Sequence, residues 1–354
     1  MSVKWITLLL LFLAIKIFSL FPEAVEQYYS QGFYPYFALF QRTLFGWIPF
    51  SIGDLIYLFL GGWILWSLIL FIRKIRSRQL QKGWWKQSLK SFAFWVLIIY
   101  VVFNLFWGLN YNRKGITYQV ALEKDSITKQ DIIKVMDLLV QKVNALDSSG
   151  RKDRDRLHTK RNLFSGAIAS YTQLHKQRNW IGYSQPSLKP SLFSYLGNYM
   201  GYTGYYNPLT GEAQVNTTVP AFVQPFTACH EIGHQLGYAK ENEANFAGFL
   251  SARSSADPAF LYSVYFELYS YGRPFLYYAD SMQLKRFDSL LQPSVKKDFK
   301  DLRAFYEQHA NPVEVVIDKL YGNYLKANDQ PDGKMTYSKV ILWLVLYNKK
   351  YGEI

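Results

Sequence analysis

His230, Glu231 and His234 are the residues whose types and spacing prescribe a chemistry. Two imidazoles at i and i+4 stand one above the other on one helix face. About one turn apart, they can share a single metal ion. Glu231 lies about 100° round the helix from His230, and its side chain is long enough to reach a water on that metal. H-E-x-x-H on a helix is the arrangement of a zinc hydrolase. The sequence holds only five histidines, so the pairing is not a by-product of a histidine-rich stretch. The bland alternative is two histidines on a solvated helix face.

Two histidines do not complete a catalytic zinc site. A third protein ligand is needed, with the fourth position left for water. Gly237 suits a left-handed helix stop, and Tyr238, Ala239 and Lys240 make a turn. A second helix then starts at Glu241 and doubles back beside the first. Glu241, in its first turn, can face the metal. Asn245 lies one turn further on the same face and can accept a hydrogen bond from the free ring nitrogen of a ligand histidine. Glu243 is the competitor, but it sits about 200° from Glu241, so both cannot point at the metal. Acidic residues here would also be favourable simply as charge at a helix amino terminus. Cys229, the single cysteine, would point off the histidine stripe and is read as a small packed residue.

The chemistry expected is hydrolysis assisted by one Zn2+, with Glu231 as the general base. Tyr337, Tyr269, Arg273 and His309 could each donate to the oxyanion, and the sequence does not choose among them. The alternative from another class is a membrane-anchored scaffold whose metal site is structural or vestigial. Structural sites take four protein ligands and favour cysteine, which weighs against it.

The elements that hold this motif are of two kinds. Half of the residues are hydrophobic, 18% are aromatic, and the net charge is +14. No nucleic-acid-binding motif accompanies that charge, so nucleic acid is not an expected partner. A protein embedded in a lipid bilayer, with basic cytoplasmic loops, accounts for it. Trp5 to Phe21 is apolar except for Lys16. Leu55 to Ile72 and Ser91 to Leu109 carry no charge at all. These are three expected transmembrane helices of about the required length, in a membrane region covering residues 1–112. Arg73, Lys74, Arg76, Arg78, Lys82, Lys86 and Lys90 separate the second and third, with no acidic residue among them. The positive-inside rule puts that loop and the amino terminus in the cytoplasm, and residues 113–354 outside.

Residues 113–354 read as a mainly helical domain. Ile132, Val135, Met136, Leu139, Val143 and Leu146 follow helical spacing after a Thr128–Asp131 capping pair. Residues 151–161 read as a solvated charged loop, and 163–174 as another helix. A Gly-, Tyr- and Pro-rich stretch over 186–207 is irregular. Val215, Thr217, Thr218 and Val219 favour a strand, and Thr227 is the expected cap of the motif helix. Asp257-Pro258 and Asn311-Pro312 start further helices. Thr336 is the expected cap of a last one, too short to be a fourth span. Polar flanks on the motif argue against a site inside the bilayer.

The Glu241-x-x-Ala244-Asn245 run resembles the segment that supplies the third ligand in gluzincin peptidases, with Asn245 where those carry Asp. Gly237 matches the metzincin glycine, but the third metzincin histidine would fall at Lys240. A wider stretch resembles a bacterial membrane family, the domain-of-unknown-function 3810 family. It runs from Gly204-Tyr205-Tyr206-Asn207-Pro208 through Gly211-Glu212-Ala213-Gln214-Val215-Asn216 to Glu243-Ala244-Asn245-Phe246, and the three spans fit it as well. The resemblance implies a zincin-like α+β metallopeptidase domain with a small antiparallel sheet, anchored in a bacterial inner membrane. A peptide or protein is the default substrate, and an amide in a cell-wall peptide fits the same chemistry. In such peptidases an edge strand before the motif helix pairs with extended substrate. Ala213, Gln214, Val215 and Asn216 are the matching candidates, with a plain hairpin strand as the alternative.

Overall fold

Among the described residues, two helices are long and apolar enough to cross a bilayer, and a bent pair would make a third. The structure is a computed structural model and describes residues 2–77, 83–123, 125–152 and 154–354. α1 (Val3–Ser19) stops short of the expected Phe21. α2 (Pro22–Phe45) leaves it at 98°, starting with proline in its first turn and passing through a wide π-helical stretch, Val25–Phe33. α3 (Ile52–Arg76) and α4 (Trp84–Phe106) contain most of the two uncharged runs. Arg78 and Lys82, part of the basic loop, lie outside the described residues. α4 ends at Phe106, three residues before the expected Leu109. There the chain tightens into a buried 3-10 turn, Gly108–Asn112. Gly108 is needed at that turn, because a Cβ would stand 2.6 Å from the Phe103 ring.

After a single helical turn, Ile116–Gln119, the longer helices are α5 (Lys129–Lys152), α6 (Lys160–Gln177), α7 (Ser194–Met200), α8 (Gln224–Gln235), α9 (Glu241–Arg253) and α10 (Pro258–Ala279). They are followed by α11 (Ser281–Leu290), α12 (Pro293–His309), α13 (Pro312–Ala327) and α14 (Val340–Tyr351). α5 opens with the expected reciprocal cap: Thr128 N donates to Asp131 Oδ2 at 2.8 Å, and Asp131 N to Thr128 Oγ1 at 3.2 Å. Asp257 and Asn311 cap α10 and α13 as their sequences indicate. Three local readings are corrected. Residues 151–161 are not a free loop: Arg151 closes α5 and joins Arg154 on the buried Asp298 carboxylate. Thr227 lies inside α8, which begins three residues earlier, and its hydroxyl returns to Val223 O at 3.1 Å. Thr336 sits in a 3-10 turn, Gly333–Lys339, that precedes α14.

The sheet has three strands in the order β1 (Leu188–Pro190), β3 (Glu212–Val215), β2 (Gly204–Asn207). β3 runs parallel to β1 and antiparallel to β2, so the sheet is mixed and not purely antiparallel. The strand ends at Val215; residues 217–219 leave it. Because β3 is the middle strand, both of its backbone edges are already paired. Ala213, Gln214, Val215 and Asn216 are all buried there and offer no free edge to an extended chain. β2 is an outer strand.

The main hydrophobic core runs between α5, α6, α8, α9, α10 and α14. A second, smaller core joins Ile15, Val25 and Tyr34 of α1 and α2 to Trp107, to Tyr206 of β2 and to Ala239 beyond the motif helix. The amino-terminal helices are therefore built into the wall of the site. Glu212 secures this from β3. Its buried carboxylate accepts from Ile52 N (3.1 Å), Gly53 N (2.6 Å) and Ser51 Oγ (3.2 Å), capping the start of α3 where helix N–H groups lack partners. Gly53 permits the approach: a Cβ there would stand 2.4 Å from the Asn207 amide.

Candidate metal centre

α8 and α9 form an antiparallel pair joined by a glycine stop. Gly237 has φ 85°, Tyr238 N reaches Gly233 O at 3.1 Å, and Gly237 N reaches His234 O at 2.9 Å. This is the double bond pattern of a left-handed helix terminus. The helices touch backbone to backbone at two glycines. A Cβ on Gly233 would lie 3.2 Å from Ala244 O, and one on Gly248 would lie 3.2 Å from His230 N. That closeness brings the first turn of α9 to the histidine stripe of α8.

His230, His234 and Glu241 come together, all buried, with one potential ligand atom from each within 4.8 Å of the others. The Glu241 carboxylate oxygen Oε2 is 3.3 Å from His230 Nε2 and 3.5 Å from His234 Nε2. The tautomers follow from the outer contacts. Asn245 Nδ2 donates to Tyr337 O (3.1 Å), so its Oδ1 is free to accept from His230 Nδ1 at 2.7 Å. His234 Nδ1 faces Tyr238 O at 2.8 Å, and a carbonyl can only accept. Each Nδ1 thus carries a proton, and both Nε2 atoms turn toward Glu241, where a metal or a second proton would sit. Glu241 Oε1 accepts from Tyr321 OH at 2.7 Å, while the buried Oε2 has no hydrogen-bond partner.

The electrostatics call for a cation. Burial alone would lower the His234 pKa, but the Glu241 carboxylate raises it to about 9. Burial would raise Glu241, yet His234 and His230 hold it well below the usual carboxylate range. A buried orphan oxygen and two imidazole nitrogens turned toward it, where a carboxylate favours positive charge, fit a metal ion. This group could hold a metal ion.

Glu231 lines the same cavity. Its Oε2 is buried without a partner, and burial raises its pKa to about 7. Gly204 of β2 comes so close that a Cβ there would be 2.5 Å from Glu231 Oε1. Glu243 is turned the other way: its carboxylate abuts Gly115, beside Arg113. Cys229 is fully buried against Ser251, away from the cluster. Of the four oxyanion candidates only Tyr337 lines the cavity, its hydroxyl 2.9 Å from Tyr321 OH. Tyr269 and Arg273 are tied to Asp288, and His309 to Phe305 O.

Several residues at the site lack any spacing signal. Tyr321 comes from α13, eighty residues beyond its partner Glu241. Glu267 of α10 lines the cavity, and burial raises its pKa to about 8. The last turn of α8 exposes carbonyls that no helix can satisfy. Trp107 Nε1 takes His234 O (3.2 Å), Tyr34 OH takes Gln235 O (3.0 Å), and Arg113 takes Gly237 O (3.2 Å). Arg113 is itself fixed by a two-pronged pair with Glu26 of α2, at 2.7 and 2.9 Å. Only the requirement that such carbonyls be satisfied could have pointed to these donors, not their positions in the chain.

No curated protein and no solved structure matches the chain. A family model described as protein of unknown function (DUF3810) matches residues 29–345, which include α3, α4, the sheet and every residue of the cluster. The chain belongs to that family.

Proposed function

We propose that the protein is a membrane-anchored zinc peptidase. The observation that carries this is the convergence of His230, His234 and Glu241 in one cavity with the unpartnered carboxylate of Glu231. Two histidines and one glutamate are the ligand set of zinc hydrolases that keep a position open. Zinc bound there would supply Lewis acidity toward the scissile carbonyl and toward water. Glu231 takes the proton of the attacking water and passes it to the leaving amine. Asn245 and Tyr238 O hold the histidine tautomers, and Tyr321 orients Glu241. Tyr337 is the donor best placed for the oxyanion.

An extended substrate pairs with β2, not with β3. β2 is an outer strand, and Thr203, Gly204, Tyr205 and Tyr206 line the cavity beside Glu231. Strand addition there would lay a peptide backbone across the site. The orientation proposed is domain outside and basic loop inside. Glu212 holds the amino end of α3 in the domain, while Arg73, Lys74 and Arg76 mark the other end, as the positive-inside rule favours.

The test is to purify full-length protein, wild type and Glu231→Gln, measure zinc per chain, and compare new peptide termini in cells carrying each form. Retained zinc with loss of a set of termini supports the proposal. Protein that takes up no zinc when it is supplied, or identical termini in both cells, counts against it.

A further inference from the structure

The cavity that holds the metal cluster is about 1090 Å3, large beside the few hundred to 1,000 Å3 typical of small-molecule sites. Its walls are not confined to the domain. Leu58, Gly61 and Gly62 of α3, and Phe103 of α4, line it together with His230 and Glu231. α3 and α4 are the two helices long and apolar enough to cross a bilayer, and no residue in the most apolar stretch of α3 is buried by protein. That stretch is therefore lipid-facing if α3 spans. Gly61 and Gly62 have open space where a Cβ would go. Gly53 is anchored in the domain by Glu212, and Gly61 lies about 12 Å further along the helix axis. The cavity thus follows α3 well past the point where it leaves the domain.

A site for soluble peptides has no use for a wall on a spanning helix, and a lipid-exposed glycine pair contributes nothing to membrane insertion. Small residues on such a helix let another chain approach closely. The other end of the cavity offers an outer strand, β2, which pairs with polypeptide backbone and not with an acyl chain. We infer that the substrate is a membrane-inserted polypeptide, with an apolar segment lying along α3 in the bilayer and the scissile bond just beyond it, at the metal cluster. This rests on the peptidase reading above and names its substrate class. The reaction is ordinary hydrolysis: water adds across the peptide C–N bond, leaving a carboxylate and an amine.

The experiment maps new protein termini in membranes of cells carrying wild-type protein, Glu231→Gln, or the double variant Gly61→Leu, Gly62→Leu, with zinc content measured on each purified protein. The expected result is a set of termini lost in Glu231→Gln that lie within about ten residues, at most about 35 Å of extended chain, of an apolar run long enough to span. The same termini are lost in the double-leucine variant while it still binds zinc. Lost termini that lie in soluble proteins, or next to lipid-modified residues without a spanning segment, overturn this inference and leave the peptidase reading standing. Undiminished cleavage by a zinc-bound double-leucine variant overturns it as well. No terminus lost in Glu231→Gln overturns both.

Discussion

The indole Nε1 of Trp107 donates to the carbonyl of His234 at 3.2 Å, linking the end of an apolar helix to a residue of the candidate metal site. Trp107 is buried, and its ring packs edge-on to the His234 ring with centroids 5.8 Å apart. Trp107→Phe keeps the apolar bulk but removes one of two donors to that carbonyl, which Gly237 N still reaches, at a cost of about 0.5–1.5 kcal/mol. The expected outcome is a lower unfolding midpoint in detergent and weaker zinc binding, read by calorimetry and by competition with a chelator. A variant equal to wild type in both would show that this link does not support the site.

Asn245 fixes the proton of His230 on Nδ1. Removing such an outer partner commonly weakens a metal site 10- to 100-fold. Asn245→Ala should lose zinc affinity by about that factor, whereas Asn245→Asp, which still accepts from Nδ1, should retain it. Zinc titration distinguishes them.

Glu241 and Glu243 lie two residues apart and are both buried, but only Glu241 faces the histidines. Glu241→Gln is expected to abolish stoichiometric zinc binding. Glu243→Gln should keep it, since its carboxylate meets Gly115 and Arg113. The reverse outcome would exchange their roles.

Glu267 gives a pH signature in metal-free protein. Burial raises its pKa from 4.5 to about 8, so the folded state holds the proton more tightly than the unfolded state does. Its contribution is fully present below 4.5 and is lost as pH rises through about 8. The midpoint of Glu267→Gln should therefore gain on wild type between those values. A difference independent of pH would mean that the carboxyl titrates normally.

The candidate metal site was legible in the sequence because it is local. H-E-x-x-H, Gly237, Glu241 and Asn245 all lie on two consecutive helices, where a 3.6-residue period and a glycine stop fix relative positions. The uncharged runs likewise announced α3 and α4, because a bilayer imposes a length. What failed was non-local. Periodicity can mark 212–216 as a strand but cannot say how many neighbours it has, so the middle strand passed for an edge and β2 was missed as the strand beside Glu231. The Glu212 clamp on α3 joins groups 160 residues apart. Tyr321 and Glu267 reach the cavity through helix packing, which no spacing rule reports.

Hydrolysis of a quenched random-peptide library carried on an apolar spanning segment, reconstituted in lipid vesicles with purified, zinc-loaded full-length protein, wild type against Glu231→Gln, bears most directly on the central proposal. The expected result is equal zinc per chain and a rate at least about 100-fold lower in the variant, the usual contribution of a general base. Equal rates at equal zinc content would contradict it.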